Sequence, residues 1–354
     1  MNFFSIITIG YTVVASIIIA ILLRDIFRPK KTIKKIIRPK KKSSFKKRIK
    51  YYWQRADAWF VRWIINDRPA LWVAITILAI GILAAIDMRF VEPNLLLTKN
   101  TNIKICGIDQ PIKIALITDM QAGNHKKSAW VEKIVNKIEQ ISPDLIIFGG
   151  DLVDNEGTNI DESVYLAPLA KLVGKYPIYY VLGNHEYGIG SKTRFHPNWQ
   201  TGDKSAFLIE RMEKIGIPLL RNQLACTQIN LQNICLFGTD DIWKRPVKYD
   251  ALRLWDQKTP LILLSHNPDG ILYWPNNVKR PSLELSGHTH GGQIWLPLIG
   301  PLGDAQLDLP GNDYYKGLNL YGWTPVLTSN GAGESGGSVR FFAPPEIDVI
   351  TLTP

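Results

Sequence analysis

Cysteine is scarce, with three in 354 residues, and no Cys-x-x-Cys pair occurs. This excludes a disulfide scaffold and a thiolate zinc or redox motif. Cys226 and Cys235 are near enough to share a hairpin, but their spacing leaves a bridge and two buried thiols equally open. Excess positive charge is also missing from most of the chain. The formal net charge is +11, yet residues 24–68 carry 17 Lys or Arg against 3 acids. The remainder is therefore slightly acidic, which excludes a uniformly basic nucleic-acid-binding protein, and no nucleic-acid partner is expected. Disorder is excluded by a hydrophobic content of 46% with 11 Trp.

Two runs lack charge altogether. Residues 3–23 form an apolar stretch of 21, long enough to cross a bilayer core of about 30 Å. No Lys or Arg precedes Arg24, so the positive leading region of a signal peptide is missing and a retained span is expected. Residues 69–86, closed by Asp87 and Arg89, form a second expected span. The basic stretch between them reads as a cytoplasmic loop against anionic lipid headgroups. Both chain ends then lie beyond the cytoplasmic membrane of a multi-pass protein. Within residues 53–65, Trp53, Ala56, Trp59, Phe60, Trp63 and Ile64 recur at helical spacing, as in a helix lying in the interface. The expected organisation is a membrane anchor over residues 1–90 and a globular domain over 91–354.

In the globular part, short apolar runs end in polar clusters. Strands are expected at 112–118, 145–148 and 178–182, and helices at 130–141, 164–173 and 207–215. A strand pair at 224–237 and strands at 261–264, 282–285, 326–328 and 347–352 follow. This grammar implies layered α/β structure with mixed sheets.

The chemistry-bearing residues stand just after strands, where α/β folds build their sites. Asp119-Met-Gln121 follows the first, Gly150-Asp151-Leu-Val-Asp154 the second and Gly183-Asn184-His185-Glu186 the third. Later come Ser265-His266-Asn267 and Gly287-His288-Thr-His290-Gly-Gly-Gln293. Two carboxylates, an amide and three imidazoles converging there would suit manganese, iron or zinc. Gly331-Ala-Gly-Glu-Ser-Gly-Gly lacks the Gly-Lys-Ser/Thr ending of a phosphate loop and reads as a structural loop near the site. Residues 187–206, bearing His196, are a candidate substrate-facing loop.

The ordered set of five motifs resembles the calcineurin-like metallophosphoesterase superfamily. The wording Leu264-Ser-His-Asn-Pro-Asp, Ser286-Gly-His-Thr-His-Gly-Gly-Gln and Val339-Arg-Phe-Phe-Ala-Pro-Pro-Glu-Ile is similar to its bacterial membrane-associated branch. The resemblance implies a four-layer α-β-β-α sandwich with two mixed sheets and a centre of two divalent ions. Asp119, Gln121, Asp151 and His290 would hold one ion, with Asp151 bridging to a second held by Asn184, His266 and His288. His185 would protonate the leaving group, oriented by Asp154, and Arg340 is a candidate contact for substrate phosphate. Gln121 stands where the family has His. An amide oxygen is a harder, weaker ligand than imidazole, so the first site would bind less tightly or favour manganese or magnesium over zinc.

These readings lead to a membrane-anchored metal-dependent phosphoesterase acting on a mono-, di- or pyrophosphate ester, such as that of an amphiphile. One alternative is a UDP-2,3-diacylglucosamine pyrophosphate hydrolase, which needs a cytosolic site and so conflicts with the basic loop. Another is a membrane-anchored scaffold with a degenerate metal site.

Overall fold

A computed structural model describes Lys46 and residues 49–55, 68–155, 160–190, 201–244, 246–303 and 305–354. The apolar run 3–23, most of the basic loop and most of the expected interfacial helix lie outside the described residues. So do residues 191–200, with His196. The chain divides into two compact units, Met1–Asp87 and Met88–Pro354.

In the first unit, helix α1 (Arg68–Ile86) is 19 residues long, about 28 Å at 1.5 Å per residue. It leaves Trp72, Ile77, Ile80 and Leu83 exposed, so its apolar surface runs round the helix instead of forming one core-facing stripe. It belongs to the one candidate membrane span among the described residues, Trp72–Asn94. Its uncharged part stops at Ile86, before Asp87, Arg89 and Glu92.

The second unit holds two mixed sheets. The first joins β1 (Leu97–Lys104), β2 (Ile112–Ile117), β3 (Leu145–Phe148), β4 (Ile178–Tyr180) and β13 (Glu346–Thr353) in the order β1-β13-β2-β3-β4. Only β13 against β2 is antiparallel. The second joins β5 (Gln223–Ile229), β6 (Gln232–Gly238), β7 (Leu261–Leu264), β8 (Leu283–Ser286), β11 (Gly317–Tyr321) and β12 (Thr324–Thr328), in the order β11-β12-β8-β7-β6-β5. Its edge pairs are antiparallel and its centre parallel. A small ribbon, β9 (Trp295–Leu296) with β10 (Gly300–Pro301), stands apart.

Strand alternation sorts the apolar residues into layers. Ile112, Ile114 and Leu116 of β2 meet Leu236, Ile262, Leu264 and Leu285 in a core between the sheets. Ala115, Ile117 and Phe148 face outward onto α2 (Ser128–Ile141) and α3 (Ser205–Ile215). Trp130, Val131, Ile134, Val135 and Ile138 form the buried stripe of α2. Each such side chain contributes roughly 1.5–3 kcal/mol of burial. The segment expected as an α-helix at 164–173 is a 3₁₀ helix, Glu162–Leu172. Pro168 sits inside it, and proline removes the amide an α-helix would need. The outer face of the second sheet is likewise covered by 3₁₀ turns, Asp250–Leu254 and Pro268–Tyr273, through Leu252 and Ile271 with Trp255 and Trp274. Helices thus back the first sheet, whereas short turns and aromatics back the second.

Cys226 and Cys235 are opposed in the β5–β6 register and form a disulfide. That resolves the choice their spacing left open.

Candidate metal centre

The parallel strands of both sheets deliver their following loops to one place. Asp119 follows β2, Asp151 follows β3, Asn184 and His185 follow β4, His266 follows β7, and His288 and His290 follow β8. Asp119, Gln121, Asp151, His288 and His290 all have left-handed backbone, with φ between 48° and 70°. Such residues cost roughly 1–3 kcal/mol each and persist only where the surrounding fold over-determines them. Here hydrogen bonds between loops do so: Asp119 N–H donates to Gly150 O (2.9 Å), and Gln121 N–H to Asp151 O (3.1 Å). Two glycines permit the close approach. A Cβ on Gly183 would lie 2.2 Å from Asp151 Oδ1, and one on Gly287 2.2 Å from Asp119 Oδ2.

Two groups of donor atoms form, each within 4.8 Å: Asp119, Asp151 and His290, and Asp151, His266 and His288. Asp151 belongs to both. The hydrogen bonds around these atoms test whether cations fit. His266 Nδ1 faces Gly149 O at 2.9 Å. A carbonyl only accepts, so Nδ1 carries a proton and Nε2 is the nitrogen turned to the cluster. Nε2 lies 3.1 Å from Asp151 Oδ2, so a positive charge belongs between them, either a proton on the ring or a bound cation. His288 differs in staying neutral. Its Nε2 faces Ala305 O at 3.2 Å, leaving the Nδ1 lone pair 3.0 Å from Asn184 Oδ1. The Asn184 amide is oriented by donation from Nδ2 to Ile189 O, so its oxygen is the atom turned to His288. Gln121 donates from Nε2 to Asp151 Oδ2 (3.1 Å), while its Oε1 is buried without a hydrogen-bond partner. His290 Nε2 stands 3.5 Å from Asp119 Oδ1. Acceptor against acceptor is repulsive unless a positive charge sits between them, so the donor set fits divalent cations.

The charges distinguish the two rings. Burial disfavours charge on His266, yet the Asp151 carboxylate overrides it and pulls the ring up to about 10, so a proton holds the place between His266 and Asp151 that a cation would take. Burial also opposes ionisation of Asp151, but His266 and His185 hold it below the usual carboxylate range. Burial raises Asp119 to about 6. The same desolvation, aided by His266, pushes His288 down to about 3, which keeps a neutral ligand ring.

His185 is buried beside this cluster. Its backbone N–H donates to Asp151 Oδ1 (2.9 Å), and its Nδ1 meets the backbone carbonyl of Asp154 at 2.5 Å. The orienting contact expected from Asp154 is thus made by its main chain. His185 Nε2 lies 3.8 Å from Asp151 Oδ2 and 3.3 Å from Ser335 Oγ.

Arg340 contradicts its expected role. It is wholly buried, with its guanidinium donating to the carbonyls of His290, Asn330, Gly333 and Ala343. These bonds hold the Gly331–Gly337 loop against the His290 turn, so no donor faces a substrate phosphate. The loop packs beneath Asp119, with Ala332 N–H donating to Thr118 O (2.9 Å).

Three further residues escaped the motif reading. Ser335 reaches His185 from that glycine-rich loop. The Trp243 ring meets His288 edge-on at 4.4 Å between centroids. The Glu186 carboxylate accepts backbone N–H bonds from Asp151, Leu152, Val153 and Gly183 and so shapes the loops that carry the ligands. Its place in the Gly-Asn-His-Glu motif is the signal that could have found it.

Residues 112–292 match the calcineurin-like phosphoesterase family. An uncharacterized metallophosphoesterase of Helicobacter pylori strain J99 is 32% identical over 268 residues, 72% of this chain and 64% of its own length. The uncharacterized metallophosphoesterase YkuE of Bacillus subtilis is 30% identical over 273 residues, covering 75% of this chain and 88% of that protein. Phosphodiesterase YaeI of Escherichia coli K12 is 29% identical over 250 residues, 68% of this chain and 82% of that protein. The chain belongs to the calcineurin-like phosphoesterase family, and its second unit carries the metallophosphoesterase domain.

Proposed function

We propose that the protein is a membrane-anchored phosphoesterase that hydrolyses a phosphate ester at a centre of two divalent ions. The observation that carries this reading is the acceptor–acceptor contact of His288 Nδ1 with Asn184 Oδ1, beside the partnerless Gln121 Oε1 and the shared Asp151 carboxylate. Asp119, Gln121, Asp151 and His290 would hold one ion, and Asp151, Asn184, His266 and His288 the other. Bound there, divalent ions supply Lewis acidity toward a phosphoryl oxygen and lower the pKa of water. The chain's residues do the rest. Asp151 holds both sites in register, and Glu186 holds the backbone of the Asp151 loop. His185, its Nδ1 committed to the Asp154 carbonyl, presents Nε2 for transfer of a proton to the departing oxygen. Ser335 Oγ steadies that nitrogen.

The similarity to a protein named phosphodiesterase favours a diester within this class. Helix α1 and the basic segment before it support an anchor in the cytoplasmic membrane, hence an amphiphilic substrate. The Cys226–Cys235 disulfide supports a domain facing the extracytoplasmic side, since such bonds persist in oxidising compartments. The same bond counts against a cytosolic nucleotide-linked substrate.

The test is a screen of the purified full chain against mono-, di- and pyrophosphate esters with manganese, zinc and iron supplied separately. Metal-dependent turnover of at least one class is expected. No turnover of any ester with any of the metals would contradict the proposal.

A further inference from the structure

Exposed apolar side chains stand on segments that hydrogen bonds tie to the chain just after the His288–Gln293 loop. The β9–β10 ribbon directly follows the His288–Gln293 loop. At its tip Leu298 is fully exposed and Ile299 largely so, with Leu302 exposed just beyond. Trp295 N–H donates to Phe341 O (2.8 Å), fixing the ribbon to the segment that bears the exposed Phe342. That segment is fixed in turn to the start of the unit. Arg340 N–H donates to Met88 O (2.9 Å) and Phe342 N–H to Glu92 Oε2 (2.9 Å), next to the exposed Phe90. Scattered exposed apolar residues are ordinary, but a connected set marks an interaction surface.

Two cations border it. Lys316 Nζ lies 3.9 Å over the Trp295 ring and donates to Phe342 O (3.2 Å). The Arg89 guanidinium lies 5.2 Å from the Phe90 ring centroid. Aromatic rings, aliphatic tips and flanking Lys or Arg are the composition of a protein surface seated at the headgroup level of a bilayer. Chain connectivity names the same occupant. The uncharged part of α1 ends at Ile86, two residues before Met88, and two residues reach only about 7 Å. Met88 itself therefore lies within that reach of the end of α1.

We infer that the Trp295–Leu302 ribbon, with Phe90 and Phe342, inserts into the headgroup–acyl boundary of the membrane that anchors the chain, so that the metal centre takes an amphiphilic phosphoester directly from the bilayer. The inference rests on the proposed phosphoesterase function and on α1 as a span. The link to the chemistry is short. Gln293, at the root of the ribbon, donates from Nε2 to Ser335 O (3.0 Å), and Ser335 Oγ touches His185 Nε2 at 3.3 Å.

The full chain is reconstituted in mixed phosphatidylcholine and phosphatidylglycerol vesicles. A polarity-sensitive probe is placed on Leu298→Cys, and for comparison on Leu254→Cys, in a Cys106→Ser background. The probe at 298 is expected to shift to the blue and to be quenched by lipids carrying a shallow spin label, while the exposed position 254 reads as water. Equal, water-like spectra at both positions would overturn the inference. So would a blue shift at 298 without quenching by lipid, which means that a second copy of the chain covers the ribbon. A second arm uses Leu298→Asp with Ile299→Asp. Hydrolysis of a vesicle-embedded phosphoester should fall about tenfold or more, with soluble bis(4-nitrophenyl) phosphate cleaved as by the parent. An unchanged rate on the embedded ester would count against insertion. If the phosphoesterase reading itself is wrong, the parent cleaves neither ester, while the probe still reports where the ribbon lies.

Discussion

His185 and Asp151 sit 3.8 Å apart, yet their proposed tasks are separable, and substitution can tell them apart. Replacing His185 with Asn should lower turnover roughly 100-fold or more, the usual worth of a positioned proton donor. Metal content, measured on the same preparation, should stay at the parent level; equal loss of metal and rate would make His185 a ligand. Gln121 lends itself to the opposite experiment. Its partnerless Oε1 occupies the place of an imidazole in the family pattern, so Gln121→His should tighten zinc or iron at the first site. Competition with a chelator would show it, and an unchanged affinity would remove Gln121 from the ligand set. Most of these residues were legible in the sequence, because each lies in a short motif whose members are neighbours along the chain. Arg340 and Ser335 were not. Whether an arginine faces substrate or spends its donors on four carbonyls depends on how distant loops close over it, and no local pattern encodes that.

Among the elements, β3, β4 and β7 were readable as unbroken apolar runs and β2 as one interrupted only by Lys113, as strands buried on both faces tend to be. β1 was missed. Leu97-Thr-Lys-Asn-Thr-Asn-Ile-Lys has only two apolar residues, Leu97 and Ile103, and it becomes a strand through its parallel pairing with β13, some 250 residues away along the chain. The 3₁₀ coverage of the second sheet was likewise hidden, because helix type is decided by how short turns fit over Phe237 and Leu263. The β5–β6 hairpin offers a test of local encoding. Its turn holds Asn230 and Leu231 at φ 50° and 65°, both left-handed, and Leu231 is almost wholly exposed. A left-handed leucine costs roughly 1–2 kcal/mol with no packing to offset it, whereas Asn-Gly is the favoured pair for this turn. Leu231→Gly should therefore stabilise the protein by about 1 kcal/mol, net of the entropy glycine loses on folding. A raised thermal midpoint would show it; a lowered one would mean that the Leu231 side chain contributes more than the backbone strain costs.

For the molecule as a whole, the basic segment, the apolar helix α1 and the Cys226–Cys235 bond all bear on which side of the proposed membrane anchor the metal centre would work. A reporter active only outside the cytoplasm, fused after Pro354, should be active, and protease added to spheroplasts should cut the second unit. A silent reporter with a protected domain would reverse the topology and bring nucleotide-linked lipids back within reach. In the proposed mechanism one shared carboxylate, Asp151, holds two cations, and those cations are needed for hydrolysis. Metal content and turnover should therefore be measured together on the purified full chain and on Asp151→Asn. About two ions per chain are expected in the parent, with loss of metal and of essentially all activity in a variant that keeps its fold. An Asp151→Asn protein that turns over within about tenfold of the parent, or a parent that works at full rate after its metal is stripped, would contradict a two-metal phosphoesterase.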